Sequence, residues 1–433
     1  MIKAHRIKAL QDIQAKSTNV ERTGIPVIYK GKRIEFNAYK IPLDCLIYNK
    51  YNGRISSSVK SFEKQYRELD PENPEDKARI EEFLWKSKED RNQQTMNSLV
   101  EIGQQVHGIV TSDGVIIDGN RRASLLNRIW ANRKDWEKRK HNVDECQYFI
   151  AIILPDNAEK KEVLRLETTY QMGEDSKLDY NPIEKYLKCK DLKAEGFTEG
   201  DIAKMMSQDE AKVKEWIRIV KLMDDYLDTL GYKGIYTRLE KREGQFVDLA
   251  GYLARYENPN GSSMVTWNYD ADDIADLKAI SFDYIRAQYE GKEFRVIAKP
   301  SKSESFFCNA KAWREFRDRH FKLIDKLEEK TVSALRKENP DTDLSSLLRR
   351  RDEQWAESAK ESFMENLRKS QSKLENINES NRPLELVQKA KDALESIDTS
   401  VDAFCSPKVT AALTELTALV SKYQKLIKKG GNE

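Results

Sequence analysis

The stretch IIDGNRRASLL, residues 116–126, places two adjacent arginines directly after an Asp-Gly-Asn corner. Apolar residues precede the corner and an amphipathic run follows it, so the local reading is strand, turn, helix. The N-terminus of a helix exposes unpaired backbone N–H groups at the positive end of its dipole, and is a ready anion site. Gly119 would let the backbone approach a ligand closely, and Arg121 and Arg122 add charge and bidentate donors suited to phosphate oxygens. Asp118 and Asn120 would cap the turn or help to hold a metal ion. The corner thus suits a phosphate-bearing ligand. The competing reading is plainer: two caps, and two arginines paired with surface acids.

The surrounding elements must hold this corner in place. Residues 26–37, PVIYKGKRIEFN, read as a hairpin around Gly31. IPLDCLIYNKYNGRI (41–55) follows as a strand and a turn-rich run ending in Arg54, and residues 56–101 are charged and helical with a break at DPENPED (70–76). QYFIAIILP (147–155) is the strongest candidate for a buried strand. Beyond Pro155 helices dominate, over 158–172 and over 181–196, where Asn181, Pro182 and Gly196 are cap, first-turn and stop residues. FRVIAK (294–299) reads as an isolated strand. Val409, Leu413, Leu416, Val420, Tyr423 and Ile427 alternate four and three apart, a stripe that a coiled coil and a bundle helix would both produce.

The chain has 433 residues, with 75 Lys and Arg against 73 Asp and Glu; the net charge of +2 makes any nucleic-acid surface a local matter. No run of about 18 apolar residues exists, and the first residues are too polar for a signal peptide. The five cysteines lie far apart, in no metal spacing, and read as reduced structural thiols of a cytoplasmic protein. The four histidines are equally scattered, which disfavours a histidine-based metal site or triad.

Taken together, three boxes resemble the N-terminal domain of the ParB family, which shares its fold with sulfiredoxins. IPLDCLIYNKYNGRI is similar to the family's entry segment, with Pro42, Leu43, Asn49, Asn52 and Arg54 in place. LVEIGQQVHGIVTSDGVIIDGNRRASLL is similar to its strand, turn and Gly-x-Arg-Arg box, and LETTYQMGEDSKLDYNPIEKY to its next helix and Leu-x-Pro-x-Glu. GFTEGDIAKMMSQDEAKVKEWIRIVKLM then resembles the family's helix-turn-helix, so the likeness covers roughly residues 20–228.

This resemblance implies an α+β fold: a small ParB/sulfiredoxin-like α/β domain (1–155), a helical segment with a helix-turn-helix (156–228), a helix-rich middle (229–330) and a helical bundle or coiled coil (331–433). It implies a nucleoside triphosphate, CTP or another, bound with Mg2+, gating a clamp on DNA. Gly119, Arg121 and Arg122 would grip phosphates, with Asp118, Asn120 and Arg54 beside them. Gly103 would flank the base or ribose, and Glu167 would approach the metal and the triphosphate as the catalytic candidate. Val106-His107 replaces the family's Gln-Pro, which puts the nucleotide contact on that strand in doubt; Asn120 replaces its acidic residue, which weakens metal binding and puts hydrolysis in doubt more than binding; and Thr168 stands where the family has the Asn after its Glu. No cysteine lies near the corner, which disfavours sulfiredoxin chemistry.

On the helix-turn-helix, Gln208, Lys212, Lys214 and Arg218 are the candidate DNA contacts. Residues 198–224 carry five basic side chains (204, 212, 214, 218, 221) against six acidic ones (199, 201, 209, 210, 215, 224), a poor balance for DNA affinity. WANRKDWEKRKHN (130–142) interleaves tryptophans with basic residues and is a second candidate. The sequence therefore reads as a nucleotide-gated, DNA-associated factor of segregation, regulation or mobile-element maintenance. It would self-associate or meet a partner protein through its helical C-terminal half. The alternative is a ParB-fold nuclease or NTPase effector of phage defence. A metal-dependent nuclease would want convergent carboxylates, and near the boxes the sequence offers only Asp118, Glu162, Glu167, Glu174 and Asp175.

Overall fold

The computed structural model describes residues 1–156, 158–173, 181–258, 264–265, 267–288, 292–301 and 304–430. Glu174, Asp175 and the middle of the third box lie outside the described residues. The chain begins with α1 (Lys3–Ala15), β1 (Val20–Tyr29) and β2 (Lys32–Pro42). The β1–β2 turn puts Lys30 and Gly31 at φ 49° and 73°, the left-handed pair of a tight hairpin, as the sequence suggested. The run over 41–55 is a strand only to Pro42; it then turns through Leu43–Cys45 and touches the sheet once more, where Ile47 bridges Val115. The polar Asn-Lys-Tyr-Asn-Gly run that follows supplies no alternation to extend the strand.

Next come α2 (Ser56–Gln65), α3 (Pro74–Lys86), α4 (Glu89–Ile102), β3 (Gly108–Val110), β4 (Ile116–Asp118), α5 (Asn120–Ala131), α6 (Arg133–Lys138) and β5 (Tyr148–Ile153). The strands form one sheet in the order β1-β2-β5-β3-β4, with β5 parallel to β3 and the other pairs antiparallel. Central β5 is buried on both faces. Phe149, Ala151 and Ile153 join one core with residues of α3, α4 and α5, while Ile152 joins another with Leu166. This explains its unbroken apolar run.

Among the described residues, the elements that follow are helices: α7 (Lys160–Met172), α8 (Pro182–Ala194), α9 (Glu199–Met205), α10 (Glu210–Thr229), α11 (Glu243–Tyr256), α12 (Ala271–Arg286), α13 (Lys292–Ala298), α14 (Ala310–Ile324), α15 (Val332–Glu338), α16 (Leu344–Glu395) and α17 (Pro407–Gly430). The layout is α+β. Asn181 caps α8 and Thr198 closes a capping box on α9. FRVIAK is not a strand but lies largely in α13. All five strands of the described residues belong to the distant sheet, so a strand here would lack a ladder, whereas the helix buries Ile297 and Ala298. One apolar core runs from Ile183 on α8 to Leu374 on α16, so the helix-turn-helix and the helices after it share an interior. A buried ionic node sits in it, where Asp352 accepts from Tyr232, Arg286 and Arg238 at 2.8, 3.0 and 2.5 Å. The α17 stripe stays outside: Leu413, Val420, Tyr423 and Ile427 are exposed.

No helix among the described residues is long and apolar enough to cross a membrane. Cys45, Cys146, Cys189 and Cys308 are buried and in no disulfide; burial pushes Cys45 and Cys146 up to about 11, which disfavours their thiolates.

Candidate functional site

The corner is built by Gly119. It is the N-cap of α5 at φ 104°, a conformation that excludes ordinary side chains, and a Cβ there would lie 2.5 Å from Phe149 Cζ. Glycine is thus required by the backbone and by β5 before any ligand is considered. Asn120 is buried and bonded through both ends of its amide. Its Oδ1 accepts from the Asn49 amide at 2.9 Å and its Nδ2 donates to the Ile116 carbonyl at 3.0 Å, which pins the 41–55 loop to the corner. An acid could not make the second of these bonds, so Asn suits this position.

The two arginines diverge. Arg121 donates to Asn92 Oδ1 and, at 3.1 Å, to Thr95 Oγ1. Arg122 donates to the Val106 and His107 carbonyls and pairs with Asp118 at 2.9 Å. These contacts hold both guanidiniums against the cleft wall.

Around them opens a cleft of about 300 Å³. Of the eight residues singled out for nucleotide binding, seven line it: Arg54, Gly103, Asp118, Gly119, Asn120, Arg121 and Arg122. They come from three separate segments, the 41–55 loop, the end of α4 and the continuous β4–α5 corner. Gly103 closes α4 at φ 70°. Arg22 on β1 steadies the loop after it, donating to the Gln105 and Gln104 carbonyls at 2.5 and 2.9 Å.

Glu167 lies elsewhere. It is buried against Lys188 of α8 at 3.0 Å and does not line the cleft. Burial pushes its carboxyl up, against the pull of Lys188 and a hydrogen bond from Asn49. The residue that reaches the cleft from α7 is Gln171, one turn later. It donates to the Ile117 carbonyl at 2.7 Å and accepts from the Gly53 amide at 3.3 Å. Gln171 could have been found from Glu167 by helical spacing, since i and i+4 share a face. Thr95 and Ser98 of α4 also line the cleft, but nothing in the sequence marked their turn.

As a magnesium site, the described residues of the cleft offer one carboxylate, Asp118, already committed to Arg122. A magnesium ion here would be carried mainly by a nucleotide's own phosphates and water. No group of three or more His, Cys, Asp or Glu that could hold a metal comes together among the described residues.

The helix-turn-helix contrasts with this. Thr198 to Met206 and α10 pack as expected, but each basic candidate has an acidic partner. Lys214 pairs with Glu210 at 2.6 Å, Lys212 with Glu215 at 2.8 Å and Arg218 with Glu257 at 2.5 Å. Gln208 is exposed in the turn, its amide bonded to the Ala203 carbonyl. In the 130–142 stretch Trp136 is buried, and Arg133 and Arg139 lie over Trp130 and Trp136 at 4.9 and 5.5 Å, so these rings are covered by their own neighbours.

No family model and no curated protein matches the chain. Among solved structures, it is similar to the C-terminally truncated chromosome-partitioning protein ParB from Caulobacter crescentus complexed with CTP-gamma-S. That match is 15% identical and covers 49% of this chain and 92% of that one, with a TM-score of 0.19. So low a score adds nothing to the geometry, and the site is read from its own residues.

Proposed function

We propose that this chain binds a nucleoside triphosphate in the Asp118–Arg122 cleft, and that the bound nucleotide governs its association with DNA. The observation that carries the reading is convergence: Arg54, Arg121 and Arg122, distant in part along the chain, meet at the N-terminus of one helix beside a glycine turn. The sequence boxes that resemble the ParB family make CTP the first nucleotide to try, with Mg2+ accompanying the phosphates. Arg121 and Arg122 would hold phosphate oxygens, and the first amides of α5 would add neutral donors. Gly103 and the loop after it would lie along the base or ribose. Asp118 would keep Arg122 aimed into the cleft.

A route from the cleft to the helix-turn-helix would run through α7. Gln171 touches both walls of the cleft, and Glu167 on the same helix is ion-paired to α8, which packs on α10. A nucleotide that moved the Gly53 loop would pull on α7 and thereby on α8. A two-state arrangement of α7 is required for this to act as a gate. The test is calorimetric titration with CTP, ATP and GTP in magnesium, followed by DNA titration with and without whichever binds. A DNA affinity that ignores a bound nucleotide would remove the gating part and leave the binding part standing.

A further inference from the structure

A larger cavity adjoins the nucleotide cleft, about 1300 Å³ between α2, α3, the start of α8 and the Tyr236–Leu239 turn, with Arg54 in the walls of both. Its lining combines cations with rings. Arg79 and Lys86 are exposed, and Lys88 and Arg54 half-buried, all at its wall. Phe62 lies under the Arg79 guanidinium at 4.8 Å and packs edge-on against Phe83 at 6.3 Å. It also stacks on Tyr66, with centroids 4.9 Å apart and planes 32° off parallel, and Tyr66 leaves 54% of its surface to solvent.

The acids of this cavity are largely spent. Asp76 is buried and held bidentately by Arg67 at 2.5 and 2.7 Å. Glu184 faces inward, accepting from the Ser57 amide and, at 2.5 Å, its hydroxyl. Burial pushes its carboxyl up to about 7, so much of it is neutral at neutral pH. Arg238 is likewise committed, to Asp352. Glu75 and Glu240 remain beside Arg79 and Lys86; the Lys86–Glu82 pair, at 3.2 Å with both partners well exposed, is a surface contact a phosphate could displace.

We infer that this groove binds single-stranded nucleic acid, with Tyr66 as a stacking platform and Arg79, Lys86 and Lys88 on the backbone. An exposed ring supported by a second ring and flanked by cations is the surface on which unpaired bases stack while phosphates are neutralised. A duplex hides its base faces and would leave Tyr66 unused. The inference stands apart from nucleotide binding, since only Arg54 belongs to both places. It also moves the nucleic-acid contact away from α10, where the basic side chains are ion-paired.

The experiment is fluorescence anisotropy of labelled oligothymidylate, oligouridylate and a mixed-sequence duplex with the full chain over a range of salt. Single strands are expected to bind better than the duplex, with affinity falling as salt rises, and the deoxy and ribo strands separate DNA from RNA as the ligand. Tyr66→Ala should weaken binding about tenfold, with Tyr66→Phe restoring it, and Arg79→Ala/Lys86→Ala should flatten the salt slope. Lys212→Ala/Lys214→Ala should leave it unchanged. Absence of single-strand binding by the folded chain, preference for the duplex, or loss only with the Lys212/Lys214 variant would each overturn the inference.

Discussion

The corner at Asp118–Arg122 and the exposed face of α10 both present three basic side chains near a helix N-terminus, yet they are built differently. In the corner Arg121 and Arg122 donate to an amide oxygen, a hydroxyl and backbone carbonyls, and Arg122 also pairs with Asp118. On α10 each of Lys212, Lys214 and Arg218 meets a carboxylate from a neighbouring turn or helix. A guanidinium held by neutral oxygens is oriented at little cost to its field, whereas a lysine beside a glutamate is screened before any phosphate arrives. The corner also rests on buried, irreplaceable groups, while the α10 pairs lie at the surface. The lesson is that basic residues at a helix start say little until their partners are known.

Substitutions should separate the two regions by size of effect. The largest is expected beneath the cleft, at the Glu167–Lys188 pair. Lys188→Met leaves a buried carboxyl without its counter-charge and should cost about 3–5 kcal/mol, read from urea unfolding; a cost below about 1 kcal/mol would mean that the pair does not tie α7 to α8. Gly119→Ala should follow at about 3 kcal/mol, because it meets both the left-handed backbone and Phe149. A neutral outcome there would show that the corner can be rebuilt.

Glu184 sharpens the boundary between cleft and helices through pH. Its folded value of about 7 lies above its ordinary 4.5, so folding favours the protonated form. The stability it contributes is complete below about pH 4.5 and is lost as pH rises through 7. Between pH 5 and pH 8 the wild-type chain should therefore lose about 2 kcal/mol more than Glu184→Gln, by unfolding midpoints at each pH. Equal slopes would mean that the carboxyl is solvated. The smallest effect belongs to α10, where Lys212→Ala/Lys214→Ala should change stability by less than about 0.5 kcal/mol. A change above about 2 kcal/mol would make these pairs structural and erase the contrast.

Much of this arrangement was legible in the sequence because it rests on local signals. The hairpin follows from Lys30-Gly31, β5 from its apolar run, and α8 from Asn181, Pro182 and Gly196. The strand–corner–helix reading of residues 116–126 needed only a glycine between two periodicities. What was hidden depends on distant packing. FRVIAK looks like a strand until the absence of a sheet beside it is known. Gly119 was read as room for a ligand, whereas Phe149, thirty positions on in β5, also demands it. Glu167 and Gln171 differ by one turn, and only the fold shows which of them reaches the cleft. The Lys-Glu pairs on α10 were foreshadowed by its charge count, but Glu257 opposite Arg218 comes from α11's far end and no local pattern announces it.

The most direct measurement is the titration of the pure chain with CTP, ATP and GTP in magnesium, beside an Arg121→Ala/Arg122→Ala variant shown by circular dichroism to be folded. Saturable binding of at least one nucleotide, weakened more than about thirtyfold in the variant by loss of two charge-assisted contacts, is the predicted result. No nucleotide binding by the folded wild-type chain, or binding that the variant retains, would contradict the assignment of the corner as a phosphate site.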